Sequence, residues 1–205
     1  MNALGLRGVF MVSKPMQHSK FRYALIALLI GVFTSAPADA QPDPNRGITT
    51  HTVPAQGTSV RFGVANVVLD YPMQQVVDLL HDYGRFQDYL PHFQTSRVLS
   101  QRGNRALMYV EVTAARDTIT LWAQTRVSSS DENGTRVIEA RMTEGNLDHF
   151  VVRWEIASID ATHTRVNFRL LADPQVPLPA SIMTTENERF SGRVLNAVRR
   201  RLEAQ

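Results

Sequence analysis

The chain has 205 residues, with 22 Lys and Arg, 19 Asp and Glu, and no cysteine. The absence of cysteine excludes structural disulfides, thiolate catalysis and cysteine-ligated zinc. Four of the basic residues and one acidic residue lie in residues 1–40, so the rest of the chain is neutral. The net positive charge of the full chain therefore gives no reason to expect a nucleic-acid partner.

Residues 1–40 have the features of a secretory signal peptide. The apolar run YALIALLIGVF (23–33) follows four basic residues and precedes APADA, which places Ala38 and Ala40 at the small-residue positions of a cleavage site. The run is shorter than the roughly 20 residues that span a bilayer. We expect export to the periplasm after cleavage near Ala40. An uncleaved anchor is the alternative, and the signal alone does not distinguish periplasm from exterior.

A linker and a first strand are expected next. Residues 41–57 are rich in Pro, Gly and Thr and have no apolar period, which indicates a linker. The segment SVRFGVANVVLDYP alternates in polarity and predicts a strand stopped by Pro72. Asn66 interrupts its apolar face. The residues predicted to share that inward face are Val60, Phe62, Val64 and Val68.

Two short helices are predicted after this strand. The segment MQQVVDLLHDYG has apolar residues at helical spacing and is closed by Gly84. The stretch HDYGRFQDYLPHF (81–93) is the densest aromatic part of the chain and predicts a helical turn up to Pro91. Such a stretch either covers a cavity mouth or packs the small helices onto the sheet, and both interpretations remain open.

Six further strand signals follow, in the segments QTSRVLS, RALMYVEVTA, DTITLWAQTRVSS, RVIEARM, HFVVRWEIASI and RVNFRLLAD. The dipeptide Asn133-Gly134 is a strong hairpin signal between two of them. Apolar residues alternate with polar ones along these strands, which predicts an antiparallel sheet with one solvated face.

The chain is predicted to end in a long helix over about residues 178–203. Its apolar stripe contains Met183, Phe190, Val194, Ala197 and Leu202. The run of arginines at 199–201 complements the negative end of the helix dipole, and a transient contact with an anionic membrane surface is the alternative role.

Together these elements predict an α+β helix-grip domain over residues 58–205. A seven-stranded curved antiparallel sheet would wrap around the long C-terminal helix, with two short helices after strand one. A sheet that grips a single helix tends to leave a cavity between them, open where the short helices lie.

The element order and the sequence DYGRFQDYLPHFQTSRVL resemble the START-like (SRPBCC) helix-grip superfamily, which includes polyketide cyclases and Coq10-type ubiquinone-binding proteins. The segment VVRWEIASIDATHTRVNFRLLADP is similar to the paired late strands of that group. The resemblance spans about residues 58–204. It implies a hydrophobic ligand, such as an isoprenoid quinone or an acyl lipid, held in a central cavity for carriage or sequestration.

No catalytic group, metal site or cofactor is predicted from the residues. His81, Asp82 and His92 do not have a known metal-ligand spacing. The expected partner is a hydrophobic small molecule or lipid; the oligomeric state is left open. The predicted ligand-binding residues are Phe62, Val64, Phe86, Tyr89, Leu90, Leu121, Trp154, Phe168, Met183, Phe190 and Val194.

Two other functions remain open at this point. An aromatase/cyclase-like enzyme would need polar groups in the cavity, and Asn66 with Glu186 is the best candidate pair. A protein–protein module would instead fill the cavity with its own side chains.

Overall fold

The computed structural model of the protein describes residues 47–114 and 119–205. The predicted signal peptide and its cleavage site lie outside these residues. The described part is an α+β fold. Its elements in chain order are β1 (Thr49–Val53), β2 (Phe62–Leu69), α1 (Met73–His81), a 3₁₀ helix (Tyr83–Asp88), β3 (Phe93–Arg102), β4 (Arg105–Ala114), β5 (Ile119–Glu132), β6 (Thr135–Gly145), β7 (Leu147–Ser158), β8 (Thr164–Pro174) and α2 (Ala180–Glu203).

The strands form a single antiparallel sheet in the order β1-β2-β8-β7-β6-β5-β4-β3. The sheet has eight strands where the sequence predicts seven, because β1 lies within the segment predicted as a linker. The β1 sequence, TTHTV, is mostly polar and its strand pairs only with β2 at the edge of the sheet. An edge strand without an apolar face leaves no alternation for sequence analysis to detect.

The long helix α2 packs against the β1, β2 and β8 end of the sheet. Two glycines make this approach possible. A side chain at Gly63 would collide with the backbone of Asn187, and one at Gly192 would crowd the Thr50 methyl group. The Asn187 side-chain amide also donates hydrogen bonds to the backbone oxygens of Arg61 and Ala172. Glycine and asparagine together fix where α2 crosses the sheet.

The inward face of β2 differs from the sequence prediction. Gly63 and Ala65 lie opposite Leu170 and Phe168 of β8, whose side chains belong to the core. Strand residues alternate between faces, so Phe62, Val64, Asn66 and Val68 point to the outer face. The prediction was wrong because apolar residues occupy both faces of β2. The inner face uses small residues where α2 comes close.

The two short helical segments lie where the sequence predicts them. Helix α1 buries Val76, Val77, Leu79 and Leu80, as its apolar spacing indicates. The 3₁₀ helix packs on β3, where the Ser96 hydroxyl donates a hydrogen bond of 2.5 Å to the backbone oxygen of Tyr83.

Charged side chains cover the outer face of the later strands. Arg153 forms ion pairs with Glu155, Glu132 and Glu139, at nitrogen–oxygen distances of 2.8, 3.1 and 3.4 Å. The sheet therefore has the single solvated face that the alternation predicts. None of the helices within the described ranges has the length and apolarity to cross a membrane.

Candidate functional site

A cavity of about 590 Å³ lies between α2 and the inner face of the sheet. This volume is within the range of small-molecule binding sites in proteins. Aliphatic and aromatic side chains form most of its wall. The contributing elements are α1, the 3₁₀ helix with the segment after it, strands β3 to β8, the segment 174–178 and α2.

The sheet wall follows from strand register. Val110 lies opposite Ala123 across β4 and β5, and Ala140 lies opposite Val152 across β6 and β7. Directly opposed residues of paired strands share a face, so a continuous apolar surface results. Trp154 of β7 and Phe168 of β8 complete it, with ring centroids 4.3 Å apart.

The structure places eight of the eleven predicted ligand-binding residues around this cavity. They are Phe86, Leu90, Leu121, Trp154, Phe168, Met183, Phe190 and Val194. Phe62 and Val64 are on the opposite face of β2, and Tyr89 points away from the cavity. Whether the eight residues bind a ligand stays a prediction.

The aromatic stretch 81–93 has both of the roles considered from sequence. Phe86 makes edge-to-face contacts with Tyr83 and Phe93, with centroids 5.9 and 6.2 Å apart, and all three line the cavity. Tyr89 instead packs on the far side of Phe86 and directs its hydroxyl to the backbone oxygen of Leu79 at 3.4 Å. Burial raises the pKa of Tyr89, so its hydroxyl stays neutral.

One mouth of the cavity carries both apolar and charged side chains. Leu178 and Ile182 line the cavity and are 44% and 48% exposed. Glu186 pairs with Arg193 at 3.7 Å, and the Arg193 guanidinium lies 5.6 Å from the centre of the Phe190 ring. Because this ion pair is solvated, it contributes little to stability but sets the polarity of the opening.

The polar pair that the enzyme alternative requires is not assembled. The Asn66 side-chain oxygen accepts a hydrogen bond of 2.5 Å from the Asn167 amide on the outer face of the sheet. Glu186 lies at the cavity mouth, on the other side of the sheet. Asn66 and Glu186 therefore cannot act on one ligand.

A second polar pair joins α1 to the sheet. His81 Nε2 lies 3.1 Å from the Ser129 hydroxyl, and Ser129 is buried. Burial lowers the pKa of His81, and nearby Arg136 adds to this effect. Neither residue lines the cavity, so the pair does not present a nucleophile to a cavity ligand. Within the described ranges, no three acidic or histidine side chains converge as a metal site would require.

Sequence reasoning missed several wall residues, and Thr125 is the important one. Thr125 is buried in β5 and lines the cavity beside Ala123 and Val127. The alternation of β5 places position 125 on the inner face, between Ala123 and Val127. A hydroxyl at that position is the signal that could have identified it.

The chain is similar to a STAR-related lipid transfer protein from Xanthomonas axonopodis, with 16% identity, a TM-score of 0.66, and coverage of 77% of this chain and 94% of that one. It is also similar to human StAR-related lipid transfer protein 5, with 14% identity, a TM-score of 0.68, and coverage of 77% and 83%. A third similar structure is the Zhui aromatase/cyclase from Streptomyces sp. R1128, with 20% identity, a TM-score of 0.52, and coverage of 70% and 93%.

At these identities the structural neighbours establish the START-like helix-grip fold alone. Comparison with curated protein sequences gives no match. The family described as polyketide cyclase / dehydrase and lipid transport matches residues 69–199, which is well over half of the chain. The protein belongs to the polyketide cyclase / dehydrase and lipid transport family.

Proposed function

We propose that the protein carries or sequesters a hydrophobic small molecule or lipid in the cavity between α2 and the sheet. The observation that supports this most strongly is the continuous apolar wall of a cavity of about 590 Å³. Removing apolar ligand surface from water at roughly 25 cal/mol per Å² would supply the binding free energy. An isoprenoid quinone or a single acyl lipid fits this chemistry.

The arrangement favours a carrier over a cyclase. The charged groups of the wall, Glu186 and Arg193, are paired with each other at the mouth, and the one histidine among the lining residues is His92, in the segment just before β3. General acid–base chemistry would need a titratable group within hydrogen-bond reach of the ligand's reacting atoms. Asn66, the other half of the candidate pair, is on the opposite face of the sheet.

Two further parts of the proposal concern where the carrier acts. The signal-like segment 1–40 supports export to the periplasm. The exposed Leu178 and Ile182 beside the cavity support a transient contact with a membrane surface while the ligand enters or leaves.

The test begins with protein purified without detergent from an exporting host, examined by native mass spectrometry and solvent extraction. A bound quinone or lipid mass supports the carrier and identifies the ligand class. Protein that stays ligand-free after incubation with mixed lipids and quinones would refute the proposal.

A matched pair of variants shows whether the ligand occupies this cavity. Ala140→Phe adds bulk to the cavity wall, whereas Ala157→Phe adds the same bulk on the outer face of β7. We expect the first variant to lose the bound mass and the second to keep it. Equal retention would contradict the assigned site.

A further inference from the structure

One hydroxyl in the cavity wall, on a residue that is itself buried, makes no hydrogen bond to the described part of the protein. Seven polar side chains are buried in the described residues, namely Ser96, Thr125, Ser129, Thr164, Asn187, Ser191 and Asn196. Six of them take part in a hydrogen bond with another protein group. Within residues 47–114 and 119–205, Thr125 alone among the seven has no side-chain hydrogen bond.

This exception is unexpected on energetic grounds. Thr125 is only 2% exposed, and a hydroxyl that makes no hydrogen bond in an apolar wall destabilises the folded protein. Valine has the same shape and would avoid that cost. A threonine at such a position therefore indicates that something outside the protein completes its hydrogen bond.

Thr125 lines the cavity and is surrounded by apolar side chains. Its neighbours on the adjacent strands are Met108 and Met142, and Ala123 and Val127 flank it on the same face of β5. All these side chains are apolar. A register shift between Gln124 and Thr125 marks a bulge in the β5–β6 pairing, a feature that changes side-chain direction locally.

The wall also restricts the charge of the bound group. The acidic and basic residues that line the cavity are Glu186, Arg193 and His92, and the first two have side chains more than 40% exposed at the mouth. His92 lies just before β3, whereas Thr125 lies in the middle of β5. A carboxylate or ammonium group near Thr125 would be buried without a counter-charge, which is strongly unfavourable. An uncharged oxygen can meet the hydroxyl without that cost.

We propose that Thr125 is a polar subsite that hydrogen-bonds an uncharged oxygen, such as a carbonyl or hydroxyl, in the buried part of the ligand. This inference rests on the proposed function and refines it. The ligand class is an apolar molecule with an internal ketone, quinone or alcohol group. This class of natural ligand does not include pure hydrocarbons, which cannot bond to the hydroxyl, or fatty acids that enter carboxylate-first.

The test measures displacement of the apolar fluorophore N-phenylnaphthylamine by cyclododecane and by cyclododecanone. These two competitors share a ring skeleton and differ by one carbonyl oxygen. The quantity of interest is the affinity for cyclododecanone divided by the affinity for cyclododecane. We expect Thr125→Val to lower this ratio by about five- to tenfold from its value in the original protein, because one hydrogen bond is lost. The comparison of ratios removes the difference in hydration between the two competitors.

Two variants serve as controls. Thr125→Ser keeps the hydroxyl and should retain the original ratio. Thr120→Val makes the same substitution at an exposed position of the same strand and should also leave the ratio unchanged. If Thr125→Val does not yield folded protein, Thr125→Ala compared with Thr125→Ser answers the same question.

The outcomes separate the two proposals. An unchanged ratio in Thr125→Val, with normal fluorophore binding, overturns the subsite and leaves the carrier function intact. If the original protein does not bind the fluorophore, the carrier function fails and the subsite fails with it. If Ala140→Phe binds the fluorophore equally well, the assigned cavity is wrong and the subsite in its wall fails.

Discussion

The backbone of Asn187 in α2 occupies the space that a side chain at Gly63 of β2 would need. The same asparagine donates its side-chain amide to backbone oxygens of the segment before β2 and of β8. This contact sets how closely α2 approaches one end of the sheet. Since the cavity lies between α2 and the rest of the sheet, it also sets the position of one cavity wall.

Gly63→Ala should destabilise the fold by about 3 kcal/mol, because the methyl group meets backbone atoms that cannot rotate away. Urea denaturation followed by circular dichroism measures the loss. Gly84→Ala is the matched control, because its added methyl group meets no atom within 4 Å. Equal stability of the two variants would show that α2 does not approach β2 this closely.

The two faces of β2 give a second prediction. Phe190→Ala in α2 removes an apolar ring from the cavity wall and should weaken ligand binding about tenfold, which corresponds to about 1.4 kcal/mol. Phe62→Ala removes the same ring from the outer face and should leave binding unchanged. Fluorophore titration measures both. If only Phe62→Ala weakened binding, Phe62 would face the cavity, as the sequence predicts.

Much of the fold could be predicted because most strands bury only one face. The alternation of β7, with Phe150, Val152 and Trp154 inward and Arg153 outward, is sufficient to place three of its wall residues. A fourth, Leu147, lies beyond a register shift that alternation does not reveal. The inward face of β2 was predicted wrongly because Phe62 and Val64 are larger and more apolar than Gly63 and Ala65. Hydropathy alone does not reveal that a closely packed helix requires small residues.

The aromatic stretch shows a similar limit. Phe86 and Tyr89 are three residues apart in and after a 3₁₀ helix, yet the first lines the cavity and the second does not. A short irregular helix has no sustained periodicity from which the direction of each side chain can be predicted. The aromatic composition indicated a covering segment, and only the structure distinguishes which rings face inward.

The pH dependence of stability should report on His81. Burial lowers the pKa of His81 below its ordinary value of 6.5, so the unfolded state binds a proton more readily than the folded state. The protein should therefore lose stability as the pH falls below about 6.5. At higher pH the imidazole is neutral in both states and contributes no such dependence.

His81→Gln removes this titration. As the pH falls from about 7.5 to about 5.5, the unfolding free energy of the original protein should decrease more than that of His81→Gln. Taking the difference cancels the titration of carboxylates and of the other histidines. A difference that is constant with pH would show that His81 titrates alike in both states.

Export makes a prediction about the N-terminus. Protein recovered from the periplasm of a suitable host should begin at Gln41, as measured by intact mass. Ala38→Arg places a large charged side chain at a position that requires a small residue, so cleavage should fail. A full-length mass for the original protein would support the uncleaved anchor.

The cavity mouth should matter for transfer more than for binding. Ile182 is 48% exposed beside the cavity, and an apolar side chain there can enter a membrane surface as the ligand passes. Ile182→Ser should slow delivery of a fluorescent lipid between vesicles several-fold while changing its equilibrium affinity little. Ile159→Ser is the matched control, because Ile159 is 46% exposed in the turn between β7 and β8, outside the cavity lining. Equal transfer rates in the two variants would argue that the ligand reaches the cavity through water rather than from a membrane surface.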